Sequence, residues 1–478
     1  LPGEFVTTDA GTGLVHMAPD HGEDDFLLCK QYGIDPVFAV DAGGMYRADW
    51  AWLGGQGSVI NKKFVAAEGP ICSDLRAAGA LLAASDDFKH SYPHSWRSKA
   101  KVIQRATPQW FIPMDRSATS EQPGAVRSAE VGSRSEPSAA ASNGATLRGI
   151  ALDAIAATQW VPARAENRIT AMVEGRPDWV ISRQRAWGVP IALYVHRQTG
   201  EYLVDPAVNA RIVAAFRAGG ADAWFTADHQ TLLGPDYAAA DYEAVGDILD
   251  VWFDSGCTYV FTLEARYGEG TRADLYVEGS DQHRGWFQSS LLESSGTRGH
   301  APYKAVLTHG FALDDKGRKM SKSLGNVIDP LKIIGESGAD ILRMWVASTD
   351  YFDDVKIGKE VLATASDAYR KLRNTFRYLL GALDGFTEEE RVAVADMPEL
   401  ERYVLHRLGM LDTELREAAT GYEFNRYIRL LTDFANEDLS AFFFDVRKDS
   451  LYCDAAESVK RRSYRSVLDT LFHALVRY

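Results

Sequence analysis

The sequence predicts an α/β protein: a parallel sheet covered by helices in its middle, then an all-helical region. Three observations predict this. Residues 177–350 alternate short apolar runs with helical segments, the pattern of strands joined through helices. From about residue 359 the apolar residues recur at helical spacing. Before residue 110 the chain is punctuated by turn residues, with only short apolar runs between.

Taken in order, residues 1–110 carry the turns Gly43-Gly44, Gly54-Gly55 and Gly69-Pro70, which suit a compact α/β or mostly β module. Residues 117–145 alternate serines with Ala, Gly, Glu and Pro. Such a stretch buries little apolar surface and is expected to be a flexible surface insertion without chemistry. Residues 190–195 and 274–279 read as strands, 284–292 as the helix after the second, and 305–311 as a buried strand ending near a glycine. Tyr369, Leu372, Phe376, Leu379 and Leu380 fall on one helical face, with Arg370, Lys371, Arg373 and Arg377 around it. A second helix carries Phe424, Tyr427, Ile428, Leu431, Phe434 and Ala435. These apolar residues are expected in the core. For the arginines, a solvated face and RNA contact both stay open.

The bulk properties bound the class. A chain of 478 residues accommodates two to four domains. Its 46% hydrophobic content and mean hydropathy of -0.22 suit a globular protein. No run of 18 apolar residues appears, so no membrane span is expected, and no signal peptide is read at the start. Cys29, Cys72, Cys257 and Cys453 form no CxxC pair, so neither a disulfide framework nor a zinc knuckle is implied. A reducing cytoplasm fits. The net charge of -14 disfavours nucleic acid only globally, because binding depends on local patches. One candidate is Lys89, His90, His94, Arg97, Lys99, Lys101 and Arg105, which reads equally as a solvated basic face.

The richest segment is Lys319-Met320-Ser321-Lys322-Ser323, entered through Asp314-Asp315-Lys316-Gly317-Arg318. Two ammonium groups three residues apart can close on a polyphosphate, and the turn residues before them suggest a mobile loop. Upstream, Gly279 permits close approach of a ligand to the backbone, while Asp281 and Gln282 offer an acceptor and an amide suited to ribose hydroxyls. A turn with a capping aspartate is the plainer alternative. Both Gly279 and the His309-Gly310 pair fall at expected carboxyl ends of strands, where such sheets bind ligands. A histidine there is also commonly structural. Residues 11–25 crowd His16, Asp20, His21, Asp24 and Asp25 among Gly11, Gly13 and Gly22; a metal reading is possible, but no loop geometry supports one and no metal ligand is assigned.

Four stretches occur in an order that resembles class I aminoacyl-tRNA synthetases, and the isoleucyl branch among them. They are residues 178–191 (Asp-Trp-Val-Ile-Ser-Arg-Gln-Arg-Ala-Trp-Gly-Val-Pro-Ile), 250–256 (Asp-Val-Trp-Phe-Asp-Ser-Gly), 277–287 (Val-Glu-Gly-Ser-Asp-Gln-His-Arg-Gly-Trp-Phe), and the lysine loop running on to Asn326. The likeness covers nearly the whole chain except 117–145. It implies a partial editing domain over 1–110, a connector over 111–176, the second half of a Rossmann-like catalytic domain over 177–358, and an incomplete helical anticodon-binding domain over 359–478. It implies that Glu278, Gly279, Asp281, Gln282, His309 and Gly310 hold the adenylate, with Lys319 and Lys322 on the phosphates. Trp252 and Trp286 would wall the amino-acid pocket, as two indoles make a rigid apolar slot for a branched side chain. The implied reaction activates isoleucine with ATP and Mg²⁺, then acylates tRNA(Ile), in a cytoplasmic monomer.

The resemblance also assigns His16 to the terminal ribose and Asp25 to the ammonium of a mischarged aminoacyl group. One methylene gives a pocket little leverage; isoleucine against valine is the standard illustration of that limit and of two-step sieving. Three departures stand out. No His-x-Gly-His motif is present, the threonine-rich strand of the editing pocket is missing, and Ser95-Trp96-Arg97-Ser98 stands where the family often has CxxC. No zinc is therefore expected, and the chain is expected to be a fragment with little activity alone. A valyl or leucyl enzyme, a synthetase-derived RNA-binding module and an unrelated nucleotide-binding protein are the rival readings.

Overall fold

A computed structural model describes residues 1–7, 9, 12–49, 66–87, 89–96, 98–116 and 146–478. The expected insertion at 117–145, the Gly54-Gly55 turn, Gly11 and Arg97 lie outside the described residues.

The chain divides after Trp110. In the first unit, α1 (Glu23–Gln31) starts with Glu23, Asp24 and Asp25 and ends with Lys30, a charge order that complements the helix dipole. A second helix, α2, spans Pro70–Ala77 and takes its proline at the first turn, where no amide is needed. Among the described residues the unit's β pairing is limited to isolated bridges, Val40 with Tyr46 and His94 with Lys101.

In the second unit, a short pair (β1, Phe111–Ile112, and β3, Trp179–Val180) precedes the main sheet. That sheet has β2 (Gln159–Val161), β9 (Ala305–His309) and β8 (Tyr276–Gly279) in the order 2-9-8, all parallel. The central strand is buried along Ala305 to Thr308, the signature of a strand covered on both faces. Helices α3 (Leu147–Ala156), α4 (Arg164–Glu174) and α7 (Trp286–Arg298) cover it. The core they enclose holds Ile155, Trp160, Ile169, Phe287, Leu291, Tyr303 and Val306. The chain from β8 through α7 to β9 is one strand–helix–strand crossover.

The strand expected at 190–195 does not join this sheet. β5 (Tyr194–His196) pairs antiparallel with β6 (Tyr242–Ala244) over a separate core of Tyr194, Trp224, Leu232 and Leu233. An apolar run states that a strand is buried, not which sheet buries it. Another short pair, β4 (Ser182–Arg183) with β7 (Ile248–Leu249), leads into α6 (Val251–Gly256), while α5 (Pro206–Gly219) caps the small core.

Beyond β9, β10 (Ala312–Leu313) pairs parallel with β11 (Val355–Lys356), with α8 (Pro330–Ser337) and α9 (Ala339–Ser348) between them. The rest is helical: α10 (Lys359–Ala382), α11 (Glu399–Thr420), α12 (Phe424–Asp433), a π-helical stretch Phe434–Phe443, α13 (Phe444–Cys453) and α14 (Val459–Leu475). Two expected core residues are exposed. Leu380 is out because Thr375, Leu379 and Ala382 take the buried stripe one helical step away. Phe424 lies instead against Tyr351, ring centroids 6.1 Å apart.

Candidate active site

The register of the parallel sheet builds the site. Gly279 pairs opposite His309, so β8 and β9 stop together on one edge. A Cβ on Gly279 would stand 2.6 Å from Asp281 Oδ1, so the missing side chain lets that carboxylate fold back over the strand end. Glu278 and Asp281 are both exposed there. Gln282 Nε2 donates to Asp281 Oδ2 at 3.3 Å, while Gln282 Oε1 accepts from Trp286 N at 3.0 Å and so caps α7. His309 is half-buried and donates from Nδ1 to the Gly310 carbonyl at 2.8 Å. Its neighbour Gly310 is explained by packing: a Cβ would lie 2.2 Å from the Asp353 carbonyl of the crossing chain.

From Gly310 the chain passes through β10 into the lysine loop and returns, with Lys319 bridged to Leu313. The sequence suggests a mobile loop; its base is in fact pinned by a buried carboxylate. Asp314 accepts from Lys316 N (3.0 Å), Arg318 N (2.8 Å), Arg318 Nε (2.9 Å) and Asn326 Nδ2 (3.0 Å). Those bonds, Asn326 first and then Arg318, hold its carboxyl far below the usual carboxylate range. Asn326 also accepts from Ser321 N at 3.0 Å and donates to the Lys319 carbonyl at 3.3 Å. Gly317 and Gly325, at φ +74° and +63°, make the two reversals. Lys319 Nζ lies 5.3 Å from the Phe311 ring centroid, next to the strand end. Lys322 opens the exposed turn Lys322–Leu324. Among the described residues the loop's ion pair is Arg318 with Asp314, which leaves both lysines uncommitted.

The two tryptophans occupy different settings. Trp252 sits in the first turn of α6, whose N-cap Asp250 accepts from Trp252 N at 3.2 Å and from Arg183 Nη2 at 2.7 Å. Its ring abuts Gly285, where a Cβ would be 2.8 Å away. It lines a cavity of about 60 Å³, room for roughly two waters, with Trp179, Arg176, Arg284 and Gln288. A larger cavity of about 560 Å³ shares Arg176, Arg284 and Gln288. Trp286 stacks face to face on Tyr276, centroids 4.1 Å apart, and is not a lining residue of either cavity.

Several participants carry no role in the sequence reading. Asp314 and Asn326 shape the loop. Arg176, hydrogen-bonded to Gln288 and 5.3 Å from the Trp179 ring, walls both cavities. Asp250 could have been found, because an aspartate opening a short helix is a capping signal. For Arg176 no local signal exists; its partner is 112 positions away.

In the first unit, Asp25 closes the turn before α1 by accepting from Ala18 N at 2.7 Å, and His16 is exposed. The buried polar residue of this stretch is Asp20, which accepts from Ala106 N at 3.0 Å and whose carboxyl is pushed up by burial. His21 donates to the Gln104 carbonyl at 2.8 Å. Of the basic patch, Lys101 lies 5.3 Å from the Tyr92 ring and Arg105 donates to the Val40 carbonyl.

Residues 87–358 match the family profile "tRNA synthetases class I (I, L, M and V)". The chain belongs to the class I tRNA synthetases. Residues 401–478 of this synthetase chain match "Anticodon-binding domain of tRNA ligase", placing that family's domain on α11 to α14. Among curated relatives, the isoleucine–tRNA ligase of Zymomonas mobilis subsp. mobilis is 67% identical over 483 residues, covering 100% of this chain and 49% of the relative. The isoleucine–tRNA ligase of Caulobacter vibrioides is 54% identical, covering 99% and 47%. The chain thus spans about half the length of the curated relatives it matches. Among solved structures, Mycobacterium tuberculosis methionyl-tRNA synthetase in complex with methionyl-adenylate aligns at TM-score 0.46 and 16% identity, covering 69% of this chain and 57% of that one.

Proposed function

We propose that this chain belongs to an isoleucine–tRNA ligase and supplies its adenylate-binding strand ends, its lysine loop and its anticodon-binding helices. One observation carries the reading: Gly279 and His309 end in register, and the chain leaving His309 becomes the lysine loop. Identity of 67% and 54% to isoleucine–tRNA ligases supports isoleucine over valine or leucine.

In this mechanism Asp281 accepts from the ribose hydroxyls of ATP, and Glu278 and Gln282 face the same nucleotide. His309 and Gly310 flank the adenine and triphosphate. Mg²⁺ enters with ATP as part of the substrate. The isoleucine carboxylate attacks the α-phosphorus, an O–P bond forms, and the bond to pyrophosphate breaks. Charge grows on the leaving pyrophosphate, and Lys319 and Lys322 neutralise it from a loop already folded for the purpose. The terminal ribose hydroxyl of tRNA(Ile) then takes the acyl group and AMP leaves. Trp252 and Trp286 are the proposed walls of the side-chain slot. His16 and Asp25 would serve hydrolysis of valyl-tRNA(Ile), whose loss in Asp25→Ala is the check. A monomer in the cytoplasm fits the reading.

The deciding assay is amino-acid-dependent ATP–pyrophosphate exchange by the full-length gene product with isoleucine, valine and leucine. Exchange with isoleucine at the lowest concentration is expected, and Lys322→Ala should slow it by about a hundredfold, the scale of one lost preorganised charge. Preference for valine or leucine, or an unchanged rate in Lys322→Ala, overturns the reading.

A further inference from the structure

Helices α6 and α7 carry Trp252 and Trp286 and meet at two glycines. At one end the Trp252 ring lies on Gly285, just before α7. At the other, Gly256 faces Glu293, and a Cβ on Gly256 would fall 2.1 Å from Glu293 Oε1 and 2.5 Å from its carboxyl carbon. Trp252 and Gly256 are four residues apart, one above the other on the same helix face. Gly285 and Glu293 are eight apart, about 12 Å along α7. The carboxyl of Glu293 is thus the inner stop of a contact whose outer stop is the Trp252 ring.

The chemistry around Glu293 is unusual for a charged residue. It is 7% exposed, and Oε1 is buried with no hydrogen-bond partner among the described residues. Oε2 accepts from the Cys257 thiol at 2.9 Å. No cation pairs with it among the described residues. The titratable groups facing it are Asp254, Cys257 and Tyr259 from the α6 side and Tyr276 from β8. Asp254 is a like charge and repels an ionised Glu293. Burial pushes the carboxyl up to about 8; the hydrogen bond from the Cys257 thiol favours the ionised form and offsets part of that, and the like charge of Asp254 adds to the rise, while burial pushes the Cys257 thiol up as well.

We propose that protonated Glu293 is a positioning residue that clasps α6 through Gly256 and Cys257 and so holds the Trp252 wall against Gly285. Ionisation places an unpaired negative charge between the helices, parts them at Gly256 and loosens the wall. The inference rests on the reading of Trp252 as the slot wall. It predicts that isoleucine affinity, not turnover, weakens as the pH rises through about 8. Glu293→Gln keeps the size and the neutral charge, so it holds the clasp closed throughout.

Two measurements on the full-length gene product test it. In ATP–pyrophosphate exchange across that pH range, the KM for isoleucine should rise about tenfold, equivalent to ~1.4 kcal/mol. Its kcat should change little, and Glu293→Gln should flatten the KM profile at the low-pH value. A KM profile in Glu293→Gln that parallels the unmodified protein overturns the inference and leaves the proposed reaction standing. The second measurement needs no catalysis. The emission of Trp252, taken as the difference from Trp252→Phe, should shift with a midpoint near the same pH and stay fixed in Glu293→Gln. An emission that ignores pH, or shifts equally in Glu293→Gln, overturns the inference even where isoleucine proves the wrong substrate.

Discussion

At the scale of single residues, the proposed role of the lysines depends on how well their loop is held. Asn326 makes the three bonds that join Asp314, Ser321 and the Lys319 carbonyl. Replacing it with alanine leaves Asp314, a buried acceptor, one donor short. With a net worth near 1 kcal/mol per bond, the KM for ATP is expected to rise about tenfold in Asn326→Ala. Steady-state exchange kinetics check this, and an unchanged KM would show that Arg318 alone sets the loop. Glu293 makes the opposite kind of contribution. Its folded pKa is raised above the ordinary 4.5, so the folded state binds the extra proton. Stability from this group is complete below about 4.5 and declines up to about 8, by at most ~1.4 kcal/mol per pH unit. Glu293→Gln removes that slope. The lysine pair, Asp281 and Gln282 could be singled out as candidates in the sequence because turn chemistry and a glycine mark them. Arg176 and Glu293 were not, because what makes each notable is a partner far away in the chain.

At the scale of elements, the strand–helix–strand unit and the helical region were legible because apolar period reports burial directly. The errors have one cause. Period assigns a face, yet several neighbours compete for it. Residues 190–195 were apolar enough for the main sheet, but Tyr194 and Val195 were claimed by β6 and Pro190 bridges Ile248 of β7. Leu380 was apolar enough for the α10 stripe but lost to Thr375, Leu379 and Ala382. The helical region is also tied by charge. Arg447 on α13 donates to both oxygens of Glu401 on α11, at 2.6 and 2.9 Å, and Glu401 is fully buried. Removing one partner strands the other in the interior. Glu401→Ala should therefore destabilise this region by about 3–5 kcal/mol in urea unfolding followed by helical circular dichroism. A cost below about 1 kcal/mol would mean that solvent reaches Arg447 freely.

At the scale of the whole molecule, one segment links the strand ends to the helices. Residues 351–354 cross the backbone at Gly310, accept the Gly310 amide through the Tyr351 carbonyl, and bond Phe311 N through Asp354. The Tyr351 hydroxyl then donates to the Tyr422 carbonyl just before α12. The family membership and the order of its motifs were determined by the sequence alone, because residue type and spacing are local and survive without coordinates. Which strands stop together, why Gly310 must be glycine, and that Glu293 is buried between two tryptophan-bearing helices were decided by the tertiary structure. Those facts depend on distances between segments remote in the chain, and burial there sets the space and raises the pKa of the carboxyl.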